Sequence, residues 1–448
     1  MTADGLGKWS SGTTPILVGS DGKRRPVDKY DVPLVVARDS QVRFHVMVKP
    51  VGSSCNLNCA YCFYLSKAGL AGGPGSGSMS DETLDLFISQ YIQSISADEV
   101  VFSWQGGEPT LAGLAFFRRV VELQQKHAKP GQTIQNDLQT NGTLIDVEWC
   151  RFLKENRFLV GLSIDGPKEL HDSFRIAKDG SPTFSKVVNS AKLLREHGVP
   201  FNTLTCVHSK NAKYPLDVYR FLRREIGSTY MQFTPIVEPR NFEQSSPQKL
   251  DASLLPKDGE PRARPGSPDS IVTDWSVDPE DWGYFLRKTF DEWRKRDFGK
   301  VLVNQFETLV SQHLGHGPQL CVYSEFCGKN VAIEHDGSVY SCDHLVYPEY
   351  RLGNIKDSNL SNSVLSRGQV KFGYAKGESL PKQCRECQYL SDCWGECPKN
   401  RIIRTSDGEP GLNYLCRGLK TFYAHAVPEI KTLVAGIQKR NTQPRPRM

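Results

Sequence analysis

The sequence predicts an α/β fold, a parallel sheet of alternating strands and helices followed by a cysteine-rich region, on three observations. Strand-length apolar runs alternate with amphipathic helix-length segments through residues 43–238. Eleven of the 13 cysteines fall in two groups, Cys55, Cys59 and Cys62 at the start of that stretch and eight between Cys321 and Cys416. Between them, residues 239–280 are rich in Pro, Ser and balanced charge, which marks a boundary or surface insertion.

The elements follow in order. Residues 1–42 are polar, punctuated by Pro, Gly and Asp, and read as an N-terminal extension expected to drape over the fold. RFHVMVKP carries a strand at 42–48 that ends at Pro50, and AGLAGGPGSGS at 68–78 is a flexible loop by composition. MSDETLDLFISQYIQSI opens a helix capped by Ser80, with Leu84, Phe87, Ile88 and Tyr91 at helical spacing. Strand and helix then alternate from EVVFSWQGGEPT to YMQFTPIVE. Such βα units place chemistry in the loops after strand C-termini, where Gln105, Gln139, Ser163 and Ile236 fall. A mixed-character helix, DPEDWGYFLRKTFDEWRKRD, leads into the C-terminal cysteines, and KRNTQPRPRM closes the chain as a solvated basic tail.

Composition sets outer limits. With 448 residues, 38% hydrophobic, 24% charged and a net charge of +6, the chain is an ordinary globular one and excludes disordered or fibrous classes. The charge is too small to call for nucleic acid unless it is clustered, and no apolar run of about 18 residues is present for a membrane span. The N-terminus lacks a secretory signal, so the expected compartment is the cytoplasm. Thiols stay reduced there, and cysteines in such number ask for metal rather than disulfides.

The first group is spaced C-x3-C-x2-C in CNLNCAYCFYL, directly after a strand. Three thiolates on one loop can hold three irons of a four-iron cubane and leave the fourth open to a ligand. A structural zinc loop is the alternative, but zinc takes four ligands and the nearest fourth candidate, Cys150, is far along the chain. The motif resembles that of the radical S-adenosylmethionine superfamily, including an aromatic, Tyr61, before the last cysteine. The resemblance implies that the free iron chelates S-adenosylmethionine, whose reductive cleavage gives a 5′-deoxyadenosyl radical.

Further blocks extend it. In WQGGEPT, Gly106 and Gly107 let backbone approach a ligand and Glu108 can accept from an ammonium; the block resembles the element that meets the methionine amino group. By resemblance, Ser163 and Arg175 contact the ribose and the carboxylate, and Ile236 the adenine side. Taken singly, a Gly-Gly turn is often only a turn, Ser163 a strand-end serine and Arg175 a surface ion-pair partner.

Eight C-terminal thiolates make two four-ligand sets. The spacing C-x2-C-x5-C-x3-C at 384–397 resembles the SPASM domain of peptide-modifying radical enzymes, although paired C-x2-C spacings also suit zinc ribbons. The resemblance implies a crossed pattern: Cys321, Cys327, Cys342 and Cys397 hold one cluster, Cys384, Cys387, Cys393 and Cys416 the other. Cys150 and Cys206 are left as buried small hydrophobes.

Asp343 follows Cys342 directly within SVYSCDHLVYPEYRLGNI, a stretch that, with QGGEPT, QTNG and SIDGP, resembles the anaerobic sulfatase-maturating enzymes. The implied reaction oxidises a Cys or Ser of an unfolded or nascent sulfatase polypeptide to Cα-formylglycine, with Asp343 as proton acceptor. The alternative for Asp343 is a hydrogen-bond acceptor or turn residue beside a cluster. Tyr64, Gln105, Gln139 and Asn141 are candidate peptide contacts. The expected cofactors are three 4Fe–4S clusters and S-adenosylmethionine, and the expected reductant is a flavodoxin or ferredoxin. Thioether formation on a peptide and a zinc-stabilised binding protein are the competing functions. The implied architecture is a partial (β/α)6 TIM-type barrel over 43–238, an insertion and linker helices over 239–320, a SPASM domain over 321–420, and a terminal helix and tail over 421–448.

Overall fold

The computed structural model describes residues 16–18, 24–26, 44–70 and 77–442. Most of the N-terminal extension, the centre of the Gly-rich loop and the last six residues of the basic tail lie outside these, so the expectations placed on them do too. Within the extension, Ile16–Val18 pairs antiparallel with Arg24–Pro26.

Six strands form the expected parallel sheet in chain order: β1 (His45–Lys49), β2 (Glu99–Trp104), β3 (Thr133–Thr140), β4 (Leu159–Ser163), β5 (Phe201–Val207) and β6 (Tyr230–Pro235). Helices α1 (Asp81–Ser94), α2 (Gly113–His127), α3 (Val147–Glu155), α4 (Phe184–Glu196) and α5 (Pro215–Phe221) connect them. The cap on α1 is as expected: Ser80 Oγ accepts the Thr83 amide at 3.2 Å, which satisfies one of the free donors of the first turn. Its inner face, Leu84, Phe87, Ile88 and Tyr91, is buried, with Phe87 edge-on to Phe102 and Trp104 of β2.

The sheet runs further than six strands. On one side β7 (Leu302–Val303) pairs parallel with β6. On the other, β8 (Asn330–Glu334), from the cysteine-rich region, pairs parallel with β1 and brings Glu334 opposite Lys49. Strands β9 (Ser338–Tyr340) and β10 (Arg351–Asn354) continue antiparallel from it. The barrel and the C-terminal region therefore share one ten-stranded sheet.

Residues 239–280 are not a loose surface insertion. Pro239 pairs with Val272 and Lys257 with Arg404. Phe242, Leu255, Ala263, Val272 and Val277 are buried. Tyr347 Oη donates to the Phe242 carbonyl at 2.8 Å and Tyr414 Oη to the Val277 carbonyl at 3.1 Å, so the segment is packed between barrel and C-terminal region. Apolar side chains hidden among its prolines and serines account for the difference. Helices α6 (Pro279–Arg296), α7 (Asn304–His313) and the terminal α8 (Cys416–Thr442) pack together through Phe290, Trp293, Phe306 and Phe422.

Candidate active site at the sheet's carboxyl edge

Beyond Lys49, at the end of β1, the chain turns through Pro50–Ser54 into the loop that carries Cys55, Cys59 and Cys62. Burial raises the thiol pKa of all three, to about 11 for Cys55, and the charge of neighbouring thiols adds to the rise for Cys55 and Cys59. Amide hydrogens point the other way: Leu57 N–H donates to Cys55 Sγ at 3.3 Å, and the amides of Tyr64 and Leu65 serve Cys62. Buried sulfurs that repel one another's charge yet receive N–H donors suit thiolates held by an iron–sulfur cluster, where the metal supplies the missing positive charge. A cubane takes one thiolate per iron and spreads its ligands, whereas zinc draws four donors to about 2–2.3 Å from one centre.

The last cysteine's neighbour, Tyr61, is buried and donates from Oη to Asp165, which also pairs with Arg175 Nε at 2.9 Å and accepts the Cys206 amide at 3.0 Å. Burial works against the Asp165 carboxylate, but the Arg175 guanidinium, with His208 and His171, holds its pKa below the ordinary value. Arg175 is no surface residue: it is 7% exposed, donates to Cys206 Sγ at 3.5 Å and lies close enough to Cys59 to ease that thiol's ionisation. Cys206 is thus part of a polar cluster rather than an inert core residue, while Cys150 is buried in α3 as expected. Sequence inspection missed Asp165, although it sits inside the SIDGP block.

The Gly-Gly turn packs against the approach to the cysteine loop. A Cβ on Gly107 would lie 1.9 Å from the Ser54 carbonyl oxygen, and the Gly107 and Glu108 amides bond the carbonyls of Gly52 and Ser54 at 2.9 and 2.8 Å. Gly106 has φ of +130° and passes directly over Lys49. Both glycines thus press the turn against the approach to the cysteine loop. Glu108 is fully buried, and its carboxylate takes the Thr110 amide, the Thr110 and Thr140 hydroxyls and the Asn141 amide at 2.6–3.0 Å. Oε1 is saturated, so Glu108 ties the loop after β2 to that after β3.

Of the expected peptide contacts, Gln139 donates to Ser163 Oγ at 3.0 Å, and Asn141 bridges Asn56 at 2.8 Å and Cys55 Sγ at 3.8 Å. Gln105 is half-buried at the end of β2, its amide on the Val48 carbonyl at 2.8 Å. Ile236, after β6, is held by backbone bonds to Val207 and Val277, both at 2.8 Å.

Asp343 reaches the same edge through β8 and β9. Its carboxylate pairs with the Lys49 ammonium, whose side chain is only 2% exposed. Burial raises the cost of that negative charge, yet Lys49 and His344 outweigh it and keep the Asp343 pKa below its ordinary value. The Lys49 ammonium also stands 4.7 Å from the Tyr64 ring centre, and the buried Tyr64 hydroxyl donates to Glu334. Lys49 and Glu334 escaped the sequence reading, because only strand register brings them together.

The eight C-terminal cysteines sort into two sets. Cys342 feels the charge of Cys397 and Cys321, and Cys327 that of Cys321, while Lys376 faces Cys397, Cys321 and Cys327 together. Buried Lys376 donates to the carbonyls of Cys321 and Val322 at 2.7 and 2.8 Å and to that of Ser324. Cys384, Cys387, Cys393 and Cys416 line one cavity with Tyr389, Leu390, Leu419 and Tyr423. Arg401 lies between the sets, within range of Cys384, Cys393 and Cys397.

Known proteins carry the same parts. Residues 50–222 match the radical SAM superfamily model, and residues 321–388 the iron–sulfur cluster-binding SPASM domain. The chain is 47% identical over 384 residues to a serine-type anaerobic sulfatase-maturating enzyme of Bacteroides thetaiotaomicron, covering 86% of this chain and 89% of that one. It is 34% identical over 396 residues to a cysteine-type enzyme of Clostridium perfringens, covering 88% and 99%. The solved structure of native anSMEcpe with bound AdoMet and the Cp18Cys peptide superposes with a TM-score of 0.74 at 33% identity, over 88% of this chain and 99% of that one. Streptococcus suis SuiB bound to its precursor peptide SuiA, at 14% identity and a TM-score of 0.54 over 84% of this chain and 77% of that one, shares the fold alone. A radical SAM barrel joined to a SPASM domain and this degree of likeness over nearly the whole length place the chain in the family of anaerobic sulfatase-maturating enzymes.

Proposed function

We propose that this protein oxidises a Ser or Cys of a client sulfatase polypeptide to Cα-formylglycine without oxygen. The observation that carries the assignment is the ionised, Lys49-paired Asp343 at the same sheet edge as the three-cysteine loop. Cys55, Cys59 and Cys62 would hold the cluster that binds S-adenosylmethionine, and the two C-terminal sets would hold the auxiliary clusters. When bound, these groups supply an acceptor for a Cβ hydrogen atom and one for the second electron.

The chain's own residues do the rest. Arg175, fixed by Asp165, offers its remaining guanidinium N–H groups to a carboxylate. Gly106 and Gly107 hold the turn over the cysteine loop, with Ser163 at the end of β4 and Ile236 just after β6 bounding the cofactor's outer part. Asp343 takes the proton from the client's hydroxyl or thiol, which requires an approach of about 3 Å directly or through one water; Ser gives the aldehyde directly, whereas Cys gives a thioaldehyde that water hydrolyses with release of hydrogen sulfide. Gln105, Gln139 and Asn141 flank the place a client peptide would occupy. Tyr64 acts behind it, since its hydroxyl is committed to Glu334. The greater likeness to the serine-type relative supports Ser as an accepted residue. A flavodoxin or ferredoxin in the cytoplasm would supply the reducing electron.

Anaerobic incubation of the reconstituted enzyme with reductant, S-adenosylmethionine and paired Ser and Cys peptides tests the assignment. Aldehyde in the Ser peptide is expected, and Asp343→Asn should lower its rate about 10²–10⁴-fold while 5′-deoxyadenosine still forms. Asp343→Asn with full turnover would refute the role of Asp343. No aldehyde from either peptide would refute the activity.

A further inference from the structure

Lys49 acts electrostatically on two carboxylates. It pairs with Asp343, and it is the register partner of Glu334 on the adjoining strand. Glu334 is completely buried, accepts the Tyr64 hydroxyl on Oε1, and has no hydrogen-bond partner for Oε2 among the described residues. The groups facing it are Tyr64 from the cysteine loop, Lys49 from β1, Asp343 beyond β9, Tyr340 on β9 and Asp336 in the β8–β9 turn. That gives a single ammonium for two closely placed carboxylates at the edge, an excess negative charge that burial makes costly.

We propose that Glu334 is a positioning residue for Asp343: the two carboxylates share Lys49, and ionised Glu334 draws the ammonium toward its vacant Oε2, loosening the clasp on Asp343 so that it can take the client's proton. The inference rests on the role given to Asp343 above. The proton that leaves Glu334 passes to water, and no other bond changes. Burial, and after it the nearby Asp336 and Asp343 charges, outweigh Tyr64 and Lys49 and lift the Glu334 pKa to about 7. Glu334 is therefore the member of the pair that changes charge near neutrality. Protonated Glu334 leaves Lys49 wholly to Asp343; ionised Glu334 competes for it.

Turnover of a client peptide by the holoenzyme should then rise with pH, with kcat increasing about threefold from pH 6 to pH 8 while KM for the peptide holds. Glu334→Gln mimics the protonated state, so it should match the wild type at pH 6 and lack the rise. A rise retained in Glu334→Gln, or a folded Glu334→Gln inactive at pH 6, would overturn the proposal. Infrared spectra of the wild-type holoenzyme supply a second readout should that variant fail to fold. A protonated-carboxyl band that titrates near neutrality and shifts in Tyr64→Phe is expected, and its absence at pH 6 would overturn the proposal. Asp343→Asn run alongside separates the two levels. Full turnover there removes the role of Asp343 itself, whereas slow turnover with the pH rise intact in Glu334→Gln removes only that of Glu334.

Discussion

The loop at 55–62 presents three thiols among charged, hydrogen-bonded groups, whereas Cys384, Cys387, Cys393 and Cys416 line a cavity walled by Tyr389, Leu390, Leu419 and Tyr423. The first region has three donors and a surround of Arg175, Asp165, Lys49 and Asp343, all partly or wholly withdrawn from water. The second has four donors and a mostly apolar lining, with Gln383, Asn413 and Lys420 at its wall. A set of three leaves room for a ligand, and fixed charges beside it can orient that ligand and move a proton. A set of four among tyrosines and leucines closes on itself and suits holding an electron in a low-dielectric shell. The first region follows β1 of the ten-stranded sheet, whereas Cys384, Cys393 and Cys416 sit on helices outside it.

Breaking each set in turn should give the largest contrast. Cys59→Ala should abolish S-adenosylmethionine cleavage and aldehyde formation alike, whereas Cys387→Ala should keep cleavage and lose the aldehyde. Each should lower bound iron by about four per chain if a cubane is lost. Cleavage lost equally in both would remove the distinction between the regions. The junction beneath the open set comes next: Gly107→Ala puts a Cβ against the Ser54 carbonyl and should cost about 3 kcal/mol in urea unfolding, with weakened S-adenosylmethionine binding. Lys376→Met strands the carbonyls of Cys321, Val322 and Ser324, a loss of about 2 kcal/mol read the same way, and it should leave S-adenosylmethionine binding intact. The smallest effect belongs to Ser80→Ala, which removes the α1 cap and touches neither set, about 1 kcal/mol with unchanged turnover per folded molecule.

Local signals were legible from the chain and long-range ones were not. The βα alternation, the Ser80 cap and both cysteine groups are written in short spacings, since a strand, a cap and a ligand loop each form from neighbouring residues. Glu334 and Lys49 are separated by most of the chain and meet only because β8 adds to the open edge of β1. Glu108 was recognisable as important within QGGEPT, but its partners Thr140 and Asn141 arrive from the next loop, and the tie it makes between loops was not readable. The same holds for residues 239–280, whose composition resembles solvent-exposed chain while Val272, Val277 and Phe242 are buried against distant elements.

The central claim is that the open three-cysteine site and Asp343 act on one client residue. The most direct measurement uses a Ser peptide deuterated at the target Cβ, with the reconstituted enzyme, reductant and S-adenosylmethionine. The account predicts deuterium in 5′-deoxyadenosine together with an equal amount of peptide aldehyde. Peptide-dependent 5′-deoxyadenosine free of deuterium, or deuterium transfer that never yields aldehyde, would contradict it.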